Sequence, residues 1–401
     1  MSKRKASLAV IFTIVFIDLV GFGIVIPVLP LYAERFGASP LTIGILLAIY
    51  SLMQMLFAPL LGRWSDRIGR RPVLLFSILG SSAGFLLMGL AQALPLLFLA
   101  RTIDGITGGN ISTAQAYIAD ITPPEKRSKG MGLIGAAFGL GFIFGPAIGG
   151  LMSRFSMNAT FFFAAGLAGL NAAAVYLFLP ESLAAEHRTS SGSRATVFGA
   201  LKEAKGTPLA VVMGTYFFTT VAFSMLTAAY PLFAARRYGF HAAEVGAIFA
   251  GMGVLGAVIQ GGMIGWLGRF LSEQSMTLAG CVILASGFFL LPAAAGVKSL
   301  VVATALLAVG HSLTVVPLNG MASKSLGPAA QGRVLGLMQS SASLARIVGP
   351  VLGGWLLNWD LARAPAPFGR TACWMGTVLA LVAMGLALSL RISTQGNAHG
   401  S

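Results

Sequence analysis

Apolar stretches of membrane-spanning length recur along the whole chain, and short polar loops separate them. A helix needs roughly 20 mostly apolar residues to cross a bilayer, and twelve stretches meet that need. They predict an all-α polytopic membrane protein, whose helices we number spans 1 to 12. The predicted spans are 8–32, 41–61, 73–93, 95–119, 129–152, 158–179, 209–235, 242–267, 275–295, 299–322, 332–357 and 367–391.

The basic residues predict the orientation of these spans. Of the 27 Lys and Arg residues, 18 fall in the two termini and the loops on their side, and 7 fall on the opposite side. Arg101 and Arg346 lie within spans. Basic residues accumulate on the cytoplasmic side, so both termini are predicted to be cytoplasmic.

A polar stretch at 181–208 divides the chain into two sets of six spans. We therefore predict four segments in chain order, which are an N-terminal six-helix bundle, a cytoplasmic linker, a C-terminal six-helix bundle and a cytoplasmic tail. Their bounds are 1–180, 181–208, 209–393 and 394–401.

An internal repeat supports the division. The sequence GPAIGG at 145–150 returns as GPVLGG at 349–354, and Pro124 upstream has a counterpart in Pro328. Two related halves are typical of transporters. The alternative is that glycine-rich membrane helices look alike by chance.

The composition limits the class of protein. Only 10% of the residues are charged, against about 25% in soluble domains. The net charge of +15 is scattered between apolar stretches, which favours a membrane surface over nucleic acid as partner. No nucleotide-binding loop, metal-ligand cluster or nucleophile with a base appears. We therefore expect neither an enzyme nor a cofactor or metal site.

The loop between spans 2 and 3 reads GRWSDRIGRRP at 62–72. Gly62 and Gly69 permit a tight turn, and Asp66 lies among four arginines with which it can pair. A basic loop without mechanism is the alternative, although such a loop needs neither the Asp nor the paired glycines.

Span 5 carries Gly141, Gly145 and Gly149 at four-residue spacing. This spacing places the glycines on one helix face, where a neighbouring backbone can approach closely. Pro146 removes one backbone hydrogen bond and permits bending. Simple helix–helix packing is the alternative use of this pattern.

The two motifs resemble those of the major facilitator superfamily, and the span 5 form GxxxGPxxGG resembles its drug/proton antiporter branch. Within residues 10–150 the chain looks like the bacterial tetracycline efflux family, and beyond them the likeness is only topological. The segments that carry this likeness are 17–30, 52–54, 70–75, 101–109 and 116–122.

The resemblance implies two pseudo-symmetric six-helix bundles, with spans 1, 4, 7 and 10 lining a central cavity. It implies that Asp66 caps a helix of the other half, favoured by the helix dipole, and that Asp120 pairs with the loop arginines. The implied cytoplasmic gate motif is Gly62, Asp66, Arg67, Gly69, Arg70, Arg71 and Asp120, and the implied antiporter motif is Gly141, Gly145, Pro146, Gly149 and Gly150.

The chain departs from the tetracycline exporters at two positions. Those exporters carry an acidic residue in span 3 where this chain has Gly84, and a histidine in span 8 near Gly256. Their drug binds as a metal chelate, so these departures weaken tetracycline as the specific substrate.

Charged residues at membrane depth are expensive and usually functional. Asp18 lies about 10 residues into span 1, which is roughly 15 Å at 1.5 Å per residue. Our hypothesis is that Asp18 exchanges a proton and that Arg101 lowers its proton affinity in one conformation. Arg101 and Asp104 are three residues apart on span 4 and also have the alternative of neutralising one another.

The second half adds Arg346 in span 11 and His311 in span 10. Arg346 is a candidate for an anionic substrate group or for pairing with Asp104, and a lone His is more often a packing residue. We predict that the cavity is lined by Gln54, Asn110, Gln115, His311, Asn319 and Arg346.

Together these features predict a monomeric exporter in the inner membrane that exchanges a small amphipathic compound, tetracycline-like in character, for protons. It would use the proton gradient and no cofactor. An importer or facilitator of sugars or organic anions stays as the alternative, with Arg346 and Arg101 binding a carboxylate. A non-transporting membrane scaffold or receptor is the second rival.

Overall fold

The computed structural model describes residues 3–123, 127–183, 207–325, 331–363 and 367–390. These residues form helices and loops without a β-strand in any of the described ranges, which confirms the predicted all-α class. Most of the predicted linker and the whole predicted tail lie outside the described residues, as do Pro124 and Pro328 of the repeat.

The helices follow the predicted spans closely. In chain order they are α1 Lys3–Glu34, α2 Pro40–Ile68, α3 Arg70–Gly89, α4 Leu94–Thr107, α5 Asn110–Ile121, α6 Arg127–Ser153, α7 Met157–Phe178, α8 Pro208–Tyr238, α9 Ala242–Val258, α10 Ile264–Leu267, α11 Glu273–Leu290, α12 Val297–Lys324, α13 Gln331–Ala362 and α14 Arg370–Leu388. A π-helical turn at Ile259–Met263 joins α9 to α10.

Ten of these segments are long and apolar enough to cross a membrane by length and composition. The other two predicted spans correspond to the α4–α5 pair and to α13. The α4–α5 pair is divided into two short helices, and α13 carries Arg346 and Asp360 among its apolar residues. These features explain why neither segment is among the ten that are long and apolar enough.

Span 4 differs from its prediction as one continuous helix over 95–119. The structure ends α4 at Thr107 and starts α5 at Asn110, with Gly108 and Gly109 between them. A Cβ atom on Gly109 would lie 2.8 Å from the Ala58 Cα atom of α2. The backbone of α2 therefore comes closest where span 4 lacks side chains.

The described chain divides into two compact units. The first contains Met1–Ser193, Met225–Ala257 and Arg346–Ala372, and the second contains Arg194–Ser224, Val258–Ala345 and Cys373–Ser401. The division into bundles at 1–180 and 209–393 stays a prediction.

Within the first unit, α1 packs mainly on α6, and α3 packs on α7 and α4. A buried cluster from α1, α3, α5, α6 and α7 includes Ile11, Ile78 and Tyr117, each with no exposed surface. Asn171 of α7 donates a hydrogen bond of 2.9 Å to the Ile14 carbonyl oxygen of α1. These contacts hold α1 and its Asp18 in a fixed position.

Backbone packing and one ion pair join helices on one side of the first unit, which contains the end of α1 and the start of α2. Gly150 of α6 faces the backbone of Ala243 in α9, and Gly44 of α2 faces that of Pro350 in α13. Arg236, near the end of α8, forms an ion pair of 2.6 Å with Glu34 at the end of α1. Both copies of the glycine-proline repeat are therefore used for close helix packing on this face.

Candidate functional site: a buried polar cluster in the first unit

The side chain of Asp18 is hydrogen-bonded to an amide, and no cation forms an ion pair with it among the described residues. The Asn110 side-chain amide donates a hydrogen bond of 3.0 Å to a carboxylate oxygen of Asp18. Asn110 is the first residue of α5 and is 5% exposed, whereas Asp18 is half-buried. The break in span 4 therefore presents this amide to α1. An amide partner leaves the charge of Asp18 without full compensation, which is what a proton-exchanging carboxyl group requires.

Arg101 and Asp104 form a second, tighter pair on α4. Their N–O distance is 2.8 Å, and they are 2% and 3% exposed. The Arg101 Nε atom has no hydrogen-bond partner among the described residues. The two charges neutralise one another here, as the alternative for this pair anticipated.

Gly84 of α3 makes room for Asp104. A Cβ atom at position 84 would lie 2.9 Å from the Cβ atom of Asp104 and 3.1 Å from the Ala100 carbonyl oxygen. Such contacts are too short for a side chain. Position 84 of span 3 therefore has no room for an acidic side chain, and the carboxyl-bearing side chain of Asp104 from span 4 lies beside it.

Tyr50 of α2 lies between the two pairs, and sequence reasoning missed it. Its ring covers the guanidinium carbon of Arg101 at 4.3 Å, and its hydroxyl accepts a hydrogen bond of 3.2 Å from Gln54. The hydroxyl is close enough to interact electrostatically with four charged groups, which are those of Asp18, Asp104, Arg101 and Arg346. The i, i+4 spacing of Tyr50 and Gln54 places them on one helix face, and this was the available signal.

Gln54 also closes the break in span 4. Its amide donates a hydrogen bond of 2.7 Å to the Gly108 carbonyl oxygen, a group that the interrupted helix leaves without its usual partner. Non-helical backbone at membrane depth needs such a partner, because lipid supplies none. Gln54 therefore supports the same break that positions Asn110.

The other predicted cavity residues have different surroundings. Gln115 is exposed on α5, and the Asn319 amide donates to the Val315 carbonyl oxygen of its own helix. His311 lies in the second unit, stacked on Phe223. Arg346 is half-buried on α13 and reaches the Tyr50 hydroxyl electrostatically. Among the candidates from the second half of the sequence, Arg346 is therefore the one that joins the polar cluster of the first unit. We call this group the Asp18 cluster, and its other members are Asp18, Tyr50, Arg101, Asp104 and Asn110.

The loop between α2 and α3 forms a separate charged cluster, at the end of α2 and the start of α3. Gly69 turns the chain with a φ of 113°, a value that favours glycine. Arg70 binds Asp66 at 2.5 Å, the Ser65 hydroxyl at 2.7 Å and Asp120 at 3.1 Å. The predicted contact of Asp120 with a loop arginine is present. The capping of a helix in the other half by Asp66 stays a prediction.

Glu181 is a second residue that sequence reasoning missed. It was assigned to the linker, yet its carboxylate accepts the backbone N–H groups of Arg70 at 2.8 Å and Arg71 at 3.2 Å. These groups open α3, where a negative charge is favoured by the helix dipole. Arg71 in turn donates to the Tyr176 carbonyl oxygen of α7. The end of α7 is thereby tied to the start of α3.

The glycines of α6 contact two helices. Gly141, Gly145 and Gly149 face the backbone of α1 near Leu19, Gly23 and Ile24. On another side of α6, the Pro146 carbonyl oxygen and Gly150 face Gly246 of α9. By contrast, a Cβ atom on Gly135 or Gly139 of the same helix would meet no described atom within 4 Å beyond its own helix backbone. The close contacts of α6 with α1 and α9 are therefore made at the motif and not at these two glycines.

Comparison with known proteins gives consistent matches. The family model of the Major Facilitator Superfamily matches residues 11–350 and again 212–400. The chain is similar to the tetracycline resistance protein, class E, of Escherichia coli, with 35% identity over 86% of each chain. It is 29% identical to multidrug resistance protein 2 of Bacillus subtilis strain 168, over 90% of this chain and 91% of that protein. A solved structure of the nucleoside transporter NupG has the same fold, with a TM-score of 0.80, 12% identity and coverage of 96% and 99%.

Proposed function

This chain belongs to the Major Facilitator Superfamily, and from that premise we propose that it exports a small amphipathic compound in exchange for protons. The membrane transporter class and the all-helical fold follow from the family. The direction of transport, the coupled proton and the substrate are our proposal. Relatives named for resistance to tetracycline and to multiple drugs support export of such a compound.

The single observation that carries the proton coupling is the setting of Asp18. An ionisable side chain at membrane depth is expensive and is rarely retained without a function. Asp104 has a cation to neutralise it, whereas Asp18 has the amide of Asn110. Of these two acids, Asp18 is therefore the one whose charge has no ion partner among the described residues.

Tyr50 and Arg101 link that proton to the rest of the site. An ionised Asp18 opposes the charge of Asp104, and Asp104 is the ion partner of Arg101. Protonation of Asp18 removes this repulsion and changes the electrostatic field around the Arg101–Asp104 pair and around the Tyr50 hydroxyl, which interacts with all three groups. A substrate that binds beside Tyr50 would then meet a different electrostatic field in the two protonation states. Such a difference in affinity is what couples two ligands.

Alternating access in this family's architecture is a rocking of two related halves about a central site. We propose that the α6 glycines allow the helices to close on one membrane face. The cluster of Arg70, Asp66 and Asp120 helps to close the opposite, cytoplasmic face. The positive-inside distribution supports cytoplasmic termini and a cytoplasmic membrane location. We also propose that the chain works as a monomer.

One observation favours a second candidate. Arg346 and Arg101 both interact electrostatically with the Tyr50 hydroxyl, so two cationic side chains lie around one polar group where an anionic substrate could bind. An importer that moves an organic anion and protons in the same direction would use this arrangement. The direction of proton movement separates the two candidates.

Everted membrane vesicles that contain this chain test the proposal. Tetracycline or ethidium is added to the medium in the presence and absence of a protonophore, and the pH of the medium is recorded. Antiport moves the compound inward and protons outward, so we expect the medium to acidify. Alkalinisation would indicate symport and would reject the exporter. Vesicles without the chain control for passive entry of the compound.

Replacing Tyr50 with Phe tests the link between the two charge pairs. The ring that covers Arg101 is kept, and the hydroxyl that Gln54 and the charges share is lost. One hydrogen bond contributes about 0.5–1.5 kcal/mol, so we expect the maximal rate of proton-driven transport to fall about two- to tenfold, with KM nearly unchanged. Tyr176→Phe on the exposed surface of α7 is the matched control. Equal rates for the two variants would remove Tyr50 from the mechanism.

A further inference from the structure

The second unit contains an aromatic pair that the Asp18 cluster does not use. His311 of α12 and Phe223 of α8 have ring centroids 3.9 Å apart and an interplanar angle of 5°. The two rings are therefore stacked in contact with one another, an arrangement that contributes beyond the burial of their area. Both side chains are only half-buried, so the pair presents a flat aromatic surface to its surroundings.

His311 also has unsatisfied hydrogen-bonding capacity. Its Nδ1 atom is buried and has no hydrogen-bond partner among the described residues. A buried polar atom without a partner is unfavourable, and native proteins rarely keep one without a use. A neutral imidazole can donate or accept at this atom, depending on its tautomer. A ligand that bonds to Nδ1 would remove the penalty.

A π-helical turn lies beside the pair. Gln260, within Ile259–Met263, is exposed and donates a hydrogen bond of 3.2 Å to the hydroxyl of Ser312, the neighbour of His311. Turns of this kind are rare and occur frequently at functional sites. The bond uses the amide nitrogen of Gln260, so its carbonyl oxygen can accept from a further group. An exposed amide within a membrane span faces protein or water in preference to lipid.

None of these four residues carries a permanent charge, which limits the chemistry that they recognise. We infer that Phe223, His311 and Gln260 form a substrate subsite for a planar aromatic group that bears a hydrogen-bonding substituent. The ring of the ligand packs on the aromatic pair, its substituent bonds to His311 Nδ1, and the Gln260 carbonyl oxygen can accept from a second substituent. This subsite deepens the proposed export function and rests on it for its physiological use.

Equilibrium binding to the purified full-length chain in detergent tests the subsite. The two probes are ethidium and its phenanthridinium analogue without the two ring amino groups. His311→Phe keeps a flat ring and removes the nitrogens. We expect this variant to bind ethidium about tenfold more weakly, which corresponds to about 1.4 kcal/mol, and to bind the analogue as the wild type does. His241→Phe, at an exposed position, is the control and should change neither affinity.

A second variant keeps the test decisive. His311→Gln retains hydrogen bonding and loses the aromatic surface, so we expect it to weaken both probes while preserving the preference for ethidium. The subsite is overturned if His311→Phe weakens both probes equally, if it weakens neither, or if the wild type binds neither. Binding requires no proton gradient. Ethidium that binds in the expected pattern but is not exported by vesicles would reject the proposed function and leave the subsite standing.

Discussion

We expect vesicles that contain the Asp18→Asn variant to lose all proton-driven transport. The variant should still exchange substrate across the membrane when the substrate's own concentration gradient drives it. Asn has almost the shape of Asp, and its carbonyl oxygen still accepts the hydrogen bond from Asn110. The fold and the substrate site are therefore preserved. The variant cannot take up or release a proton at this position, so the gradient no longer drives transport.

Counterflow and gradient-driven uptake of the same labelled compound measure the two activities separately. Asp104→Asn is the matched control, since it replaces the other acid of the site. That change leaves Arg101 charged, 2% exposed and without its ion partner. Breaking a buried pair costs about 3–5 kcal/mol, so thermal stability should fall in Asp104→Asn and stay near wild type in Asp18→Asn. Gradient-driven transport that survives in Asp18→Asn would end the proton-exchange hypothesis.

The sequence alone predicted the helices and the charged members of the site. Apolar length fixes a membrane helix almost by itself, because the bilayer allows few other structures. Asp18, Arg101, Asp104 and Asn110 stand out because polar residues are rare in such helices. The prediction of an all-α membrane protein is confirmed. The roles of the individual residues stay predictions.

The parts that the sequence did not predict depend on long-range contacts. Tyr50 is one of seven tyrosines, and it gains its position from the approach of α2 to the break in span 4. Glu181 follows α7, and 111 residues separate it from the N–H group of Arg70 that it caps. The break at Gly108 and the π-helical turn at Ile259–Met263 are backbone irregularities without an apolar signature. Apart from the i, i+4 spacing of Tyr50 and Gln54, the local sequence pattern contains none of this information.

The glycines of α6 provide the second large effect, because their packing depends on backbone contacts that cannot adjust easily. A Cβ atom on Gly145 would lie 2.5 Å from the Gly23 Cα atom and 2.9 Å from the Val20 carbonyl oxygen of α1. Favourable carbon contacts are about 3.5–4.0 Å, so α1 and α6 must separate by about 1 Å. Overpacking of this kind costs about 1–3 kcal/mol, and any shift of α6 also disturbs its close contact with Gly246 of α9.

Gly145→Ala should therefore lower the thermal stability of the purified protein and reduce transport by more than about tenfold, since both interfaces of α6 move and each 1.4 kcal/mol is a factor of ten. Gly139→Ala on the same helix is the matched control, because a Cβ atom there meets no described atom within 4 Å beyond its own helix backbone. An open helical glycine replaced by Ala gains about 0.5–1 kcal/mol from the reduced backbone entropy of the unfolded chain. The two substitutions add one methyl group each, yet the expected changes in stability have opposite signs. Melting curves and transport rates that are the same for both variants would show that close approach of α1 and α6 is not required.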